Sequence, residues 1–258
     1  MRDNPVKKSM LAGEMTIGTM LIEFNTSGIA QLAANAGAEW VLYDMEHSGW
    51  SVSDIRQSMS HARASGVVPL IRPPATQYHL LSGPLDVGAM GVMVPMVESA
   101  EQARAIVESC KYPPLGKRGA VFGVAHDDYS AADIGATIRS VNSEVLCIAQ
   151  IETPDGVANA HEIAAVDGID ALWVGHFDLS NFLGIPGQFD HPDFLDAIAT
   201  VIEAARASGK VVGILAGSVD EARLRVSQGF GALLYGLDSA VYGAALQSGI
   251  SSLKESLS

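Results

Sequence analysis

The chain has 258 residues, 48% of them hydrophobic and 17% charged, which is enough to bury a sizeable core as one large domain or two small ones. Sixteen basic residues against 29 acidic ones give a formal charge of −13, so no basic surplus exists to neutralise a nucleic-acid backbone. Only Cys110 and Cys147 are present, too few for a disulfide scaffold, and reduced thiols are expected. The segment from Met1 to Lys8 leads into no apolar core of signal-peptide length, and no apolar run reaches the ~20 residues of a membrane span. These features predict a soluble, cytoplasmic protein with neither a nucleic-acid nor a membrane partner.

Short β-branched runs alternate with segments of helical period along the whole chain. A strand from Thr16 to Leu21 precedes a helix from Ile29 to Ala36; Trp40 to Asp44 precedes Val52 to Ala64; Val67 to Arg72 precedes Tyr78 to Leu85; and Gly91 to Val94 precedes Ala100 to Cys110. A helix from Ala132 to Ser140 follows. Then Val145 to Ile151 pairs with a helix from Pro154 to Ala165, Ala171 to Val174 with Asp193 to Ser208, Val211 to Leu215 with Asp220 to Gln228, and Ala232 to Tyr235 with a last helix near Ser239 to Gln247. Ser51 or Ser53, and Thr153 before Pro154, are placed as helix N-caps.

Eight strand-then-helix units in a chain of this length predict an α/β fold, a (β/α)8 TIM barrel occupying residues 1–258 as a single domain. A doubly wound sheet is the rival, but neither of its glycine-rich phosphate turns occurs. Two connections are long, Lys111 to Ser130 and Phe177 to Pro192, and both carry Gly, Pro and aromatic residues. On a barrel, loops of that kind at the C-terminal strand ends shape the pocket.

The same ends collect the polar residues that interrupt apolar runs. Asp44, Glu46 and His47 follow the second strand, Arg72 ends the third, Gln150 and Glu152 end the fifth, and Asp178 follows the sixth. Glu152 and Asp178 lie one βα unit apart, a placement that suits two oxygen ligands of one hard divalent cation. Equally, both are placed where helix N-terminal acids occur, and the two readings stand side by side. Arg72 closes a run too apolar for a surface strand, so its guanidinium requires an anion. A small carboxylate or its enolate would supply one, as would an ion pair with Glu152 or another acid.

His47 lies three residues after Asp44, within reach of a carboxylate that orients the imidazole as a general base. Glu46 is an alternative base or an ion-pair partner. Gly175 to Phe177 offers backbone N–H groups for a carboxylate. His126 and His176, in the long connections, are weaker candidates for substrate contact, and the remaining histidines read as surface or capping residues.

Beyond these residue-level readings, the chain resembles the HpcH/HpaI class II pyruvate aldolases of the phosphoenolpyruvate/pyruvate barrel superfamily. The resemblance rests on Trp40 to His47, Pro69 to Pro73, Leu85 to Pro95, Tyr112 to Gly119, Gln150 to Glu152, and Val174 to Ser180 followed by Leu183 and Gly184, in order along nearly the whole chain. It implies a 4-hydroxy-2-oxoheptanedioate aldolase-like lyase, of the kind that serves aromatic catabolism. Such an enzyme reversibly cleaves a 4-hydroxy-2-oxoacid to pyruvate or hydroxypyruvate and an aldehyde, through an enolate stabilised by Mg²⁺, Mn²⁺ or Co²⁺.

By the same resemblance Glu152 and Asp178 bind the metal, and Arg72 stabilises the enolate oxygen. His47, oriented by Asp44, moves the proton of the 4-hydroxyl. Gln150, Gly175, His176, Phe177 and Leu215 contact substrate, with the Gly175 and Phe177 amides on the carboxylate. Asp86 reaches the site of a neighbouring subunit in a homohexamer, a trimer of dimers with exchanged C-terminal helices. Many relatives carry Pro-Ala or Pro-Ser where this chain has His176-Phe177, which makes the loop beside the metal ligands bulkier. The rival functions are a CoA-ester lyase or phosphoenolpyruvate-using enzyme, both poorly served by the few basic residues, and a non-catalytic oxoacid-binding barrel.

Overall fold

A computed structural model describes residues 2–130 and 133–258. Eight parallel strands close into a barrel in sequence order: β1 (Thr16–Leu21), β2 (Trp40–Asp44), β3 (Val68–Arg72), β4 (Gly91–Val94), β5 (Leu146–Ile151), β6 (Ala171–Val174), β7 (Val211–Ala216) and β8 (Ala232–Leu237), with β8 pairing back onto β1. The strands are near-continuous apolar runs because both of their faces are covered. All residues of β2, β4, β5 and β6 are buried. The fold is the expected (β/α)8 TIM barrel.

The helices are α1 (Pro5–Leu11), α2 (Ile29–Asn35), α3 (Val52–Ser65), α4 (Tyr78–Asp86), α5 (Ala100–Cys110), α6 (Ile134–Glu144), α7 (Pro154–Ala158), α8 (Ala160–Ala164), α9 (His176–Phe182), α10 (Pro192–Ala207), α11 (Val219–Gln228) and α12 (Asp238–Leu257). Ser51, rather than Ser53, caps α3 in a reciprocal capping box with Asp54, and Thr153 caps α7 ahead of Pro154. No described helix is long and apolar enough to cross a membrane. Cys110 and Cys147 are buried and free.

Four helical expectations change. The helix placed over Pro154 to Ala165 breaks at Asn159, whose backbone ends α7 and opens α8 while its side-chain amide donates to the Glu98 carbonyl at 2.8 Å. The long connection after β6 begins as helix α9. The last helix runs on to Leu257, with Asp238 its only buried residue. The helix before β5 extends to Glu144, and its expected start, Ala132, lies outside the described residues.

Helix α1 has no counterpart in the sequence pattern. It closes the N-terminal end of the barrel: Val6 and Met10 join the interior cluster of Trp40, Leu70, Ile148 and Trp173. Asn4 caps it and also ties it to the Met90 and Glu144 carbonyls at 3.2 and 3.0 Å. Its buried Lys7 ammonium lies 3.1 Å from Asp170 and donates to the Val145 carbonyl at 2.7 Å, so a charge below the strands is paired and hydrogen-bonded.

Inside the barrel the indoles of Trp40 and Trp173 meet edge to face, with centroids 5.7 Å apart at 89°. Room for them comes from Gly18 and Gly213, where a Cβ would overlap the Trp40 and Trp173 rings respectively. Trp173 belongs to both this layer and the wall of the cavity above it. Gly213→Ala is therefore expected to destabilise the fold by about 1–3 kcal/mol, the usual cost of overpacking, as read from urea unfolding. An unchanged midpoint would show that the indole moves freely.

Candidate active site

Strand register builds one half of the site. Asp44 ends β2 opposite Arg72, the last residue of β3. The guanidinium engages Asp44 in a two-pronged pair, Nε to Oδ1 and Nη2 to Oδ2, each 2.8 Å. Glu46 Oε2 lies 3.2 Å from the same Nε. Asp44 is fully buried and also accepts the backbone N–H groups of Glu46 (3.0 Å) and His47 (3.4 Å), which shapes the turn after β2. Burial alone would lower the Arg72 pKa, but the bonds and charges of Asp44 and Glu46 outweigh it and hold the group charged. Of the two sequence readings of Arg72, the ion pair is present, and its partners are Asp44 and Glu46.

One sequence expectation fails here. Asp44 does not orient the His47 imidazole; it bonds the His47 backbone, while its oxygens are otherwise taken by Arg72. The imidazole Nε2 lies instead 3.7 Å from Glu46 Oε2, with the ring more than half exposed at the mouth. Glu46 thus links the guanidinium and the imidazole, and burial pushes its pKa up against the pull of Arg72.

The other half rises from β5 and β6. Glu152, 2% exposed, follows β5 and accepts the Met96 N–H on Oε1 at 2.7 Å and the Gln150 side-chain amide on Oε2. Met96 holds a left-handed backbone (φ 54°), rare for a residue with a side chain, as it presents that donor. Burial pushes the Glu152 carboxyl up to about 7 despite these two hydrogen bonds, and the charges of Asp178 and Glu46 add to the rise. Glu152 has no ion pair among the described residues, since Arg72 is committed to Asp44 and Glu46. Asp178, in the first turn of α9, lines the same cavity.

Gly175 stands between β6 and α9, and its role is space. Its N–H donates to the Ile151 carbonyl at 3.1 Å, which continues the β5–β6 ladder, so the expectation that this amide holds a substrate carboxylate is corrected. A Cβ at Gly175 would overlap Glu152 Oε2 and crowd the Gln150 amide. The Phe177 amide lies in the first turn of α9, where N–H groups have no intrahelical acceptor.

His176 is buried and stacked against Phe177 (centroids 4.3 Å) and Phe189 (5.0 Å). Burial pushes its pKa down to about 4, so its ring is a neutral packing element near pH 7. Phe177 is 64% exposed at the cavity rim.

A cavity of about 710 Å³ at the C-terminal ends of the strands takes in His47, Arg72, Gln150, Glu152, Gly175, His176, Phe177, Asp178 and Leu215. Asp86 is not part of it. It ends α4 and pairs with the buried Arg118 at 2.6 Å, away from the cavity of its own chain. Met96 and the Glu46 bridge are the contacts at this mouth that sequence reasoning missed or left open. Glu46 carried a signal in its spacing from Asp44, whereas a backbone donor such as the Met96 N–H leaves none.

No group of three or more His, Cys, Asp or Glu side chains suited to a metal occurs among the described residues, so the candidate cation site is a carboxylate pair. The donor set fits one hard divalent ion. Two carboxylates line the cavity without a salt bridge among the described residues, one of them deeply buried, and the glycine beside Glu152 keeps its Oε2 clear of any Cβ.

Comparison with known proteins identifies the family. The model of the HpcH/HpaI aldolase/citrate lyase family matches residues 19–245. The chain belongs to that family. The 2-keto-3-deoxy-L-rhamnonate aldolase of Klebsiella pneumoniae is 37% identical over 248 residues, covering 94% of this chain and 90% of the relative. The crystal structure of an HpcH/HpaI aldolase from Desulfitobacterium hafniense DCB-2 superposes with a TM-score of 0.92 at 34% identity, covering 97% of this chain and 96% of that one. A more distant structure shares the fold: the citrate lyase beta subunit from M. tuberculosis, complexed with oxaloacetate and magnesium (TM-score 0.57, 19% identity, 88% of this chain and 93% of that one).

This member of the HpcH/HpaI family is thus an enzyme, a carbon–carbon lyase of the aldolase type. Its mouth is built around the clearance over Glu152. Gly175→Ala should leave the circular dichroism spectrum intact and lower turnover by about 100-fold, because displacing a reacting-site group by an ångström costs that much. Unimpaired turnover would remove Gly175 from the site.

Proposed function

We propose that this aldolase reversibly cleaves a 4-hydroxy-2-oxoacid to pyruvate or hydroxypyruvate and an aldehyde, with Mg²⁺, Mn²⁺ or Co²⁺ held by Glu152 and Asp178. The observation that carries this reading is the buried Glu152 carboxylate, which faces the cavity beside Asp178 and forms no salt bridge among the described residues, Arg72 acting on it only through its longer-range charge. A bound divalent cation supplies Lewis-acid polarisation of the 2-oxo group.

The chain's own residues supply the rest. Cleavage breaks the C3–C4 bond, and its electron pair moves toward C3 and the C2 oxygen. Arg72, fixed in place by Asp44, stabilises the negative charge developing on that oxygen without reorganising during the reaction. The 4-hydroxyl proton must leave as C4 becomes the aldehyde carbonyl. His47 is the exposed imidazole at the cavity mouth, its Nε2 3.7 Å from Glu46 Oε2, and is placed to take that proton. Gln150 fixes Glu152, and the Phe177 amide is the backbone donor offered to the oxoacid carboxylate.

The same reading includes assembly of identical chains in the cytoplasm. Beyond the cavity wall, helix α12 exposes Leu246, Ile250, Leu253 and Leu257, apolar surface that a second copy would cover. Asp86, absent from the cavity of its own chain, would in such an assembly serve the cavity of a neighbour. The expected result is that EDTA abolishes cleavage of a 4-hydroxy-2-oxoacid and that Mg²⁺, Mn²⁺ or Co²⁺ restores it. Full turnover in excess chelator would sink the proposal.

A further inference from the structure

The wall of the cavity divides by strand. Around the closed barrel, every ionisable group with acid, base or cationic character comes from the arc β2 to β6 and the start of α9: His47, Arg72, Glu152, His176 and Asp178. The remaining arc, β7, β8, β1 and the opening of α12, contributes Leu215, Tyr235, Leu237, Met20, Ile22 and Val241, with no charged side chain. Phe177 stands at the rim, its ring braced at 5.4 Å by Phe189.

This apolar arc is fixed in place. The buried Asp238, at the head of α12, accepts the N–H groups of Ile22 (3.2 Å), Phe24 (2.8 Å) and Ser239 (2.8 Å), which pins the end of β1 to the start of α12. Phe24 and Tyr242 pack edge to face across the same junction, 5.5 Å apart.

We propose that the apolar arc seats the aldehyde's substituent, and that the enzyme uses aldehydes with an uncharged apolar or aromatic group while rejecting those that end in a carboxylate. The inference rests on the aldolase reading above. In the synthetic direction pyruvate loses a methyl proton, its C3 forms a bond to the aldehyde carbon, and the carbonyl oxygen takes up a proton as the 4-hydroxyl. Nothing is oxidised or reduced, and the substituent stays outside the bond changes. Its fit therefore governs the choice of aldehyde.

The oxoacid occupies the polar arc, and the substituent points across the cavity. A terminal carboxylate there would meet apolar side chains, with Glu152 and Asp178 on the opposite wall. The one guanidinium of the cavity is already held by Asp44 at two points. An anion taken out of water without a partner is strongly disfavoured. An apolar or aryl group instead gains burial against Leu215, Leu237 and the Phe177 ring.

The test compares matched pairs in synthesis with pyruvate and Mn²⁺: butanal against succinic semialdehyde, and benzaldehyde against 4-carboxybenzaldehyde. The uncharged member of each pair should have the higher kcat/KM by at least about tenfold. Leu215→Lys should shrink or invert the ratio by giving the carboxylate a partner, and Val241→Lys serves the same purpose if the first variant does not fold. A wild-type ratio at or below one overturns the inference, as does a ratio unmoved by either folded variant. Exchange of the pyruvate methyl protons in D₂O, followed in the same samples, separates the two levels. Exchange with carboxylated aldehydes preferred defeats this inference alone, whereas absence of exchange defeats the aldolase reading beneath it.

Discussion

The architecture of the mouth follows from an imbalance of charge. Four carboxylates, Asp44, Glu46, Glu152 and Asp178, gather at the strand ends around one guanidinium, that of Arg72. Asp44 binds it at two points and Glu46 lies 3.2 Å from it, so its salt bridges all lie on one side of the cavity. Glu152 and Asp178 are left on the other. A protein interior tolerates an unpaired buried carboxylate only if it is protonated or meets a cation. Burial drives the Glu152 carboxyl toward protonation, and the backbone and amide donors around it oppose that drive. A divalent ion is what would complete a site poised in this way.

The barrel sets these positions through register. In a parallel sheet closed on itself each residue has a fixed neighbour, and the alignment of Asp44 with Arg72 follows from the alignment of Trp40 with Val68 four residues below. Alignment of Ile151 with Val174 likewise places Glu152 beside Gly175, where the missing Cβ leaves the carboxylate its room. The interior indoles under this layer and the plug of α1 beneath them keep the strands from shifting. Stability at the base of the barrel and geometry at its mouth are thus two results of one packing pattern.

Much of this was legible in the sequence, and the failures have physical causes. The strands stood out because parallel strands buried on both faces are short apolar runs, and β1, β2, β4 and β6 begin and end where the pattern places them. Helix α1 was hidden because it is seven residues long and buries a lysine, which composition reads as surface. Helix α9 was hidden by a sequence of mixed polarity, His176 to Phe182, in which two aromatics pack on Phe189 at the rim. At the mouth, Glu152, Asp178 and Arg72 were legible as residues of one cavity because each is a charge at the end of an apolar run. The partner of His47 was misplaced because spacing from Asp44 cannot show that Asp44 spends its oxygens on Arg72 and on backbone amides. The Gly175 amide was misassigned for a related reason: its bond to Ile151 belongs to the ladder between strands, which one sequence does not display.

The central claim is that the uncompensated pair, Glu152 and Asp178, holds one divalent ion. It is tested most directly by titrating the purified protein with Mn²⁺ and following free Mn²⁺ by electron paramagnetic resonance. The account predicts one ion per chain in the wild type and a dissociation constant weakened by at least about 100-fold in both Glu152→Gln and Asp178→Asn, since loss of even an outer-shell partner costs up to that much. Binding of the same strength in either folded variant would contradict it.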